Sequence, residues 1–418
     1  MKNSFKITAI LIIVLFFINC SSKSEDVPAD IEINDFVWKG LNAYYLWQSA
    51  IPDLADRRFG NQNELNSYLA GFSTPETLFE SLLNRPTDRF SWIVDDYIAL
   101  ENSFQGITLN NGMEFGLVRY ADTPTDIFGY VRYVISGSDA ETKGITRGML
   151  FSEVDGVQLT DSNFGNLLFS SNSNYTITLA DYNNGNPISN TTTFALTKSQ
   201  LQENPVHIAT TITEGANKIG YLMYNAFTSG SENELNTVFD NFKSNNIQHL
   251  VLDLRYNPGG SVATETYLAS MITGQFTGEV FTKLVYNENF QSQNADFTFQ
   301  NELDNGNALN SLGLDKLYVL TTNRSASARE GLINGLNPYI NVIQIGINTT
   351  GKTQASRTLY DSSDFQRQGA NPSHTYAMQP LIANGLNKND VAVPGTGLPP
   401  SIGFEYNERP LNYGVLGD

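Results

Sequence analysis

With 418 residues the chain has material for two or three domains and a sizeable core. Its hydrophobic share of 40% is that of an ordinary folded protein. A formal net charge of −18 argues against a nucleic-acid partner, because phosphate contacts need a surplus of lysine and arginine. A single cysteine, Cys20, rules out an intrachain disulfide.

The chain opens with Lys2 and Lys6, the apolar run "AILIIVLFFI", then Asn19 and Cys20. That run is too short for a comfortable membrane span. The following "SSKSEDVPAD" is polar and unpatterned, as linkers are. This start resembles a bacterial lipoprotein signal, with Asn19 where a small residue is usual. The resemblance implies a signal peptide over 1–19, a lipid on Cys20, a linker over 20–34, and a protein anchored to a bacterial membrane, facing the periplasm or the cell surface. The alternative is an ordinary secretory signal with an incidental cysteine.

Residues 35–103 are expected to be helical. "DFVWKGLNAYYLW" aligns Phe36, Val37, Leu41, Tyr44, Tyr45 and Trp47 on one face. "TPETLFESLL" offers Thr74 as N-cap and Pro75 at the first helical position. Over 104–198 the pattern changes to short strands: "GMEFGLVRY", "GYVRYVI", "GMLFSEVDG" and "NYTITLADY". Short helices are expected near "DAETKG" and "DSNFGNLLF". From 205 to 418 strands alternate with helices: "KIGYLMYNAF", "SENELNTVFDNFKSN", "QHLVLDLRY", "SVATETYLASMIT", "KLYVLTT", "SAREGLINGL" and "INVIQIGI". Such alternation indicates a layered α/β domain. The Asn- and Gln-rich stretch 287–313 fits no element.

The motifs of several chemistries are missing. There is no H-E-x-x-H and no cysteine pair for zinc, no phosphate-binding G-x-x-x-x-G-K-[ST] loop and no G-x-S-x-G elbow. No metal or other cofactor is expected. The three histidines, His207, His249 and His374, are isolated from one another.

Three segments hold groups that could react. In "TTNRSASAREG" (321–331) a strand turns into a helix beginning near Ser327, beside free backbone N–H groups and the positive end of the helix dipole. A plain helix cap explains that stretch equally. In "LVLDLRYNPGGS" (250–261) a second strand turns into a helix through Gly259 and Gly260, which let the backbone approach a ligand. At the end of a third strand, "NTTGKTQ" carries Lys352, an amine that could act as a base if burial kept it neutral.

Together these segments resemble the carboxyl-terminal processing peptidases, or tail-specific proteases. The family's D-L-R-x-N-x-G-G, S-A-S-A-S-E and G-K elements correspond to "DLRYNPGG" (253–260), "SASARE" (325–330) and "GK" (351–352), with the lysine 25 residues after the serine. The resemblance implies a catalytic core of the ClpP/crotonase-like type, Ser327 as nucleophile, Lys352 as base, and an oxyanion site from Ala328 and Gly259 or Gly260. Glu330 would orient neighbouring groups. It also implies a PDZ domain upstream. "SGSDAETKGITRGMLFSEVDGVQL" is similar to the PDZ pattern, and Phe115, Gly116 and Leu117 resemble its carboxylate-binding loop.

The expected architecture is α/β and multidomain: an N-terminal helical domain (35–103), a PDZ-like domain (104–198) and a peptidase core (205–418). The expected activity is that of a serine endopeptidase acting on proteins or peptides with free C-termini. Two departures bear on it: Ser356 stands where many members have a lysine-orienting Gln, and Arg329 replaces a small residue. Two alternatives remain. One is a noncatalytic peptide-binding protein of the same fold. The other is a Ser-His peptidase like the tricorn branch, with His207 as base.

Overall fold

A computed structural model describes residues 27–408; the expected signal peptide and Cys20 lie outside them. The centre is a five-stranded sheet in chain order: Val206–Glu214, Asn217–Tyr224, His249–Asp253, Lys316–Thr321 and Asn341–Gly346. The first pair is an antiparallel hairpin and the remaining neighbours are parallel. Strand alternation divides the sheet's side chains between two faces. Leu222, Tyr224, Leu250 and Leu252 pack with the helices Glu232–Ser244, Val262–Thr273 and Ala328–Leu336. Tyr221 and Met223 face the other way, against Tyr133 and Ile135 of the 104–198 region.

The 104–198 region forms its own sheet, ordered 113–119, 127–134, 150–154, 174–181, 188–197, with short helices Asp139–Thr142 and Phe164–Leu168. It encloses a separate core around Val131, Phe151, Val154 and Ile177. The strand Met113–Arg119 is an edge strand.

The N-terminal helices Glu32–Tyr44, Gln62–Leu69 and Pro75–Ser81 bury the expected face, with Phe36, Val37, Leu41 and Tyr45 almost wholly inside. Thr74 caps as expected, its Oγ1 accepting from Thr77 N. Two boundaries differ. The first helix begins at Glu32, inside the stretch expected to be linker, and no side chain caps it. The helical segment also shares one core with Leu359, Met378, Ile382 and Ala383, far along the chain. Trp92–Val94 pairs with Ala377–Gln379, so the N-terminal segment and the C-terminal part of the core form one packed unit. The unassigned stretch 287–313 holds a short strand, Ala295–Thr298, paired with Val280–Tyr286. Asn287 ties that region to the first helix by donating to the carbonyls of Ala43 and Tyr45.

Candidate active site

Three adjacent parallel strands deliver the three segments to the same end of the sheet, as expected where ligands gather in such sheets. After Asp253 the chain turns through Gly259 (φ 103°) and Gly260 (φ 140°) into the helix at Val262, capped by Ser261. After Thr321 it turns into the helix at Ala328, with Ser327 as N-cap. Ser327 has φ 62°, a left-handed conformation that costs a non-glycine residue about 1–3 kcal/mol and persists only where surroundings enforce it. The third strand ends at Gly346 and leads to Lys352.

Glu330 enforces that geometry. It is fully buried, and its Oε2 accepts from Ser327 N at 3.1 Å and from Lys352 N at 2.9 Å. Its Oε1 accepts from Gly351 N at 2.7 Å and from the Thr349 hydroxyl. One carboxylate therefore fixes the backbones of residues 327 and 352 together. Arg329, also fully buried, donates to the carbonyls of Leu254 (2.8 Å), Ala326 and Arg324. The side chain that departs from the family pattern thus joins the first turn to the second.

Ser327 and Lys352 line one cleft of about 450 Å³, counted to its open mouth. Gln354 lines it too. Burial holds the Lys352 ammonium below its ordinary value, against the opposing pull of the Asp88 and Glu330 carboxylates. The N-terminal segment packs beside it. The Lys352 Nζ lies 5.7 Å from the centre of the Phe90 ring. Arg89 donates to the carbonyls of Thr350, Gly351 and Gly395. The buried Asp88 is held by Tyr45 and by the N–H groups of Phe90 and Ser91.

The two glycines differ. A Cβ on Gly259 would stand 2.9 Å from Ser327 Cβ, and one on Gly260 would stand 2.3 Å from the Phe227 carbonyl oxygen. Only glycine permits either approach. The Gly259 N–H donates to Asn257 Oδ1 at 2.8 Å and is already engaged. The Gly260 N–H has no such partner among the described residues.

The other candidates lie elsewhere. His207 packs on the Tyr133 ring, 4.8 Å between centres, and does not line the Ser327 cleft. His249 faces Tyr318, and His374 pairs with Asp361. Phe115, Gly116 and Leu117 sit in mid-strand rather than in a loop. Phe115 and Leu117 line a groove of about 1230 Å³, likewise counted to its open mouth, whose far wall includes Phe164, Leu168 and Phe169. Arg132, Lys198 and Arg324 line it as well. Sequence reading missed Asp88, Arg89 and Phe90, and also Glu265, which lines the cleft beside Ser327.

A layered α/β core with a strained serine at a helix start and a half-buried lysine facing the same cleft defines a class of protein with hydrolase-like geometry. Comparison with known proteins fixes the family. The model of peptidase family S41 matches residues 218–369, and that of the S41 N-terminal domain matches 32–92; between them they take in more than half of the chain, which belongs to this family. Among curated proteins, it is 28% identical over 240 residues to the chloroplastic carboxyl-terminal-processing peptidase 3 of Arabidopsis thaliana, covering 55% of this chain and 44% of that one. It is 26% identical over 167 residues to a CtpA-like serine protease of Staphylococcus epidermidis, covering 39% and 32%. The chain thus matches less than half the length of these relatives. Among solved structures, a Bacteroides fragilis protein assigned to the S41 proteases has a TM-score of 0.71 at 26% identity, over 89% of this chain and 90% of that one. The photosystem II D1 C-terminal processing protease shares the fold, with a TM-score of 0.54 at 18% identity over 91% and 94%.

Proposed function

We propose that this protein is a serine endopeptidase in which Ser327 and Lys352 form the catalytic pair. The observation that carries the reading is the single buried carboxylate of Glu330, bonded to the backbone N–H of both residues at one cleft. Neutral Lys352 takes the Ser327 hydroxyl proton as Oγ attacks the scissile carbonyl carbon, and the proton then passes to the leaving amine. Water deacylates the enzyme by the same route in reverse roles. The oxyanion is held by the N–H groups of Ala328 and Gly260. Gly259 supplies space instead of a hydrogen bond, since its N–H is engaged by Asn257. Each oxyanion donor contributes about 3–4 kcal/mol to such a step.

The edge strand 113–119 binds a substrate C-terminal tail by strand addition. Support comes from the apolar groove between that strand and the helix Phe164–Leu168, and from the cationic residues Arg132, Lys198 and Arg324 along it, which suit a terminal carboxylate. Outside the described residues, Cys20 carries a lipid that anchors the exported protein to a bacterial membrane.

The test uses a fluorophosphonate probe together with unfolded proteins bearing apolar C-termini. The wild-type protein is expected to label and to cleave. Ser327→Ala loses both, and Lys352→Ala loses cleavage by at least about a hundredfold. Labelling that survives Ser327→Ala removes the nucleophile assignment. Cleavage that survives Lys352→Ala but not His207→Ala transfers the base to histidine.

A further inference from the structure

The cleft beside Ser327 contains a carboxyl group that the proposed mechanism does not use. Glu265, in the helix Val262–Thr273, is 3% exposed. Its Oε1 has no hydrogen-bond partner among the described residues. It lies against Gly331 in the helix that Ser327 caps, and a Cβ at 331 would come within 2.5 Å of that oxygen. Glycine at 331 is therefore what lets the carboxyl occupy this place. Burial pushes the Glu265 carboxyl well above its usual range. The charges acting on Lys352 come from Asp88 and Glu330, and Glu265 is not among them.

Three other polar groups of the cleft, Thr282, Thr353 and Asn334, have already given donors to the chain. Thr282 Oγ1 donates to the Leu386 carbonyl at 3.1 Å, and Thr353 Oγ1 to the Gly385 carbonyl at 3.0 Å. Asn334 Nδ2 donates to the Val391 carbonyl at 2.8 Å. Their hydroxyl and amide oxygens keep acceptor capacity. Val262, Leu284, Ala355 and Val393 give the wall an apolar part, and Lys352 and Gln354 line it as well. The cleft thus offers methylene-compatible sides and acceptor oxygens, and Glu265 Oε1 is a buried oxygen there with no hydrogen-bond partner among the described residues. A guest that brings only donors on an aliphatic stem completes it: a lysine side chain has three such donors and no acceptor.

We propose that Glu265 is the specificity determinant of this cleft and selects substrates with lysine at the residue whose carbonyl Ser327 attacks. The inference rests on the peptidase reading above. If the carbonyl oxygen points at the Ala328 and Gly260 N–H groups, the side chain of that residue falls into the space that Ser327, Ala328 and Glu265 line. On binding, the Glu265 carboxyl loses its proton and the ammonium–carboxylate pair forms out of water, where one unmatched member is heavily penalised.

The test is a set of quenched peptides identical except for that residue, which is Lys, Leu, Ala or Glu. The wild-type kcat/KM is expected to favour Lys over Leu by at least about tenfold. Glu265→Gln is expected to bring the ratio near one while Leu peptides are still cleaved. A wild-type ratio of one or less, or a ratio unchanged in Glu265→Gln, overturns the proposal. A second arm needs no variant: n-butylammonium should slow fluorophosphonate labelling of the wild-type protein and n-butanol should not. Equal effects of the two count against the proposal even if Glu265→Gln fails to fold. Failure of the peptidase reading looks different, because then no peptide is cut and Ser327 is not labelled.

Discussion

Replacing Glu330 by glutamine tests whether one carboxylate holds the nucleophile and the base in register. The native group accepts four hydrogen bonds: from Ser327 N and Lys352 N on one oxygen, and from Gly351 N and Thr349 Oγ1 on the other. Glutamine keeps one acceptor oxygen and turns the other position into a donor. Its best placement leaves the carbonyl facing Ser327 and Lys352 and the amide nitrogen facing Gly351 and Thr349. The Thr349 hydroxyl can then rotate to accept. The Gly351 N–H cannot, and an orphaned buried donor costs about 1–3 kcal/mol. The two retained bonds lose their charge assistance, about 1 kcal/mol each. The total is about 3–5 kcal/mol, a large part of a typical stability of about 5–15 kcal/mol. Denaturant unfolding should show that loss as a lower midpoint at unchanged slope. Fluorophosphonate labelling at Ser327 should slow further than the unfolded fraction explains, because the bond that holds Ser327 at its φ of 62° is weakened. A midpoint within ~0.5 kcal/mol of wild type, with unchanged labelling, would refute the clamp.

Two other variants probe the surroundings of the pair. Phe90→Ala removes the ring beside Lys352 Nζ, admits water and raises the lysine toward its ordinary value, so the acid limb of the pH–rate profile should move to higher pH; an unmoved limb denies the N-terminal segment its part in keeping the amine neutral. The same amine sets a stability slope. Between its lowered native value and that of an unfolded lysine, the unfolded chain holds more protons, so stability rises with pH, and Phe90→Ala should flatten that rise. Gly259→Ala puts a methyl 2.9 Å from Ser327 Cβ at φ 103°. It should cut labelling by more than about tenfold, and wild-type rates would show that residues 259 and 327 are not held as closely as they lie here.

Much of the core was legible because its signals are local. Each strand-turn-helix corner carries its turn residues and cap within about ten positions, and Ser261 and Ser327 both stand at helix starts. What the sequence could not reveal is non-local. Phe90 and Asp88 act on Lys352 across more than 250 residues, and nothing in "PTDRFSW" signals it. The strand Ala295–Thr298 is four residues long and defined by its pairing partner, so its own pattern is silent. The first helix started earlier than expected because Ile31, its N-cap, supplies no side-chain hydrogen bond. Glu265 was passed over for a similar reason. It lies in a helix whose residues 264–273 are all buried, so no amphipathic contrast marks it out.

The two buried glutamates at this cleft have the same chemistry and opposite surroundings. Glu330 is met by four donors, all from the chain that it organises. Glu265 Oε1 is met by none among the described residues. A buried polar group is tolerated when its hydrogen bonds are replaced and penalised when they are not. By that rule Glu330 is a finished part of the frame, and removing it can only loosen the site. On the proposal, the cost of burying Glu265 is offset when a substrate donor reaches it. If both were structural, both should be satisfied by the chain. Their difference, at one cleft and against one helix, is the ground for proposing that Glu330 holds Ser327 and Lys352 together and that Glu265 chooses what they act upon.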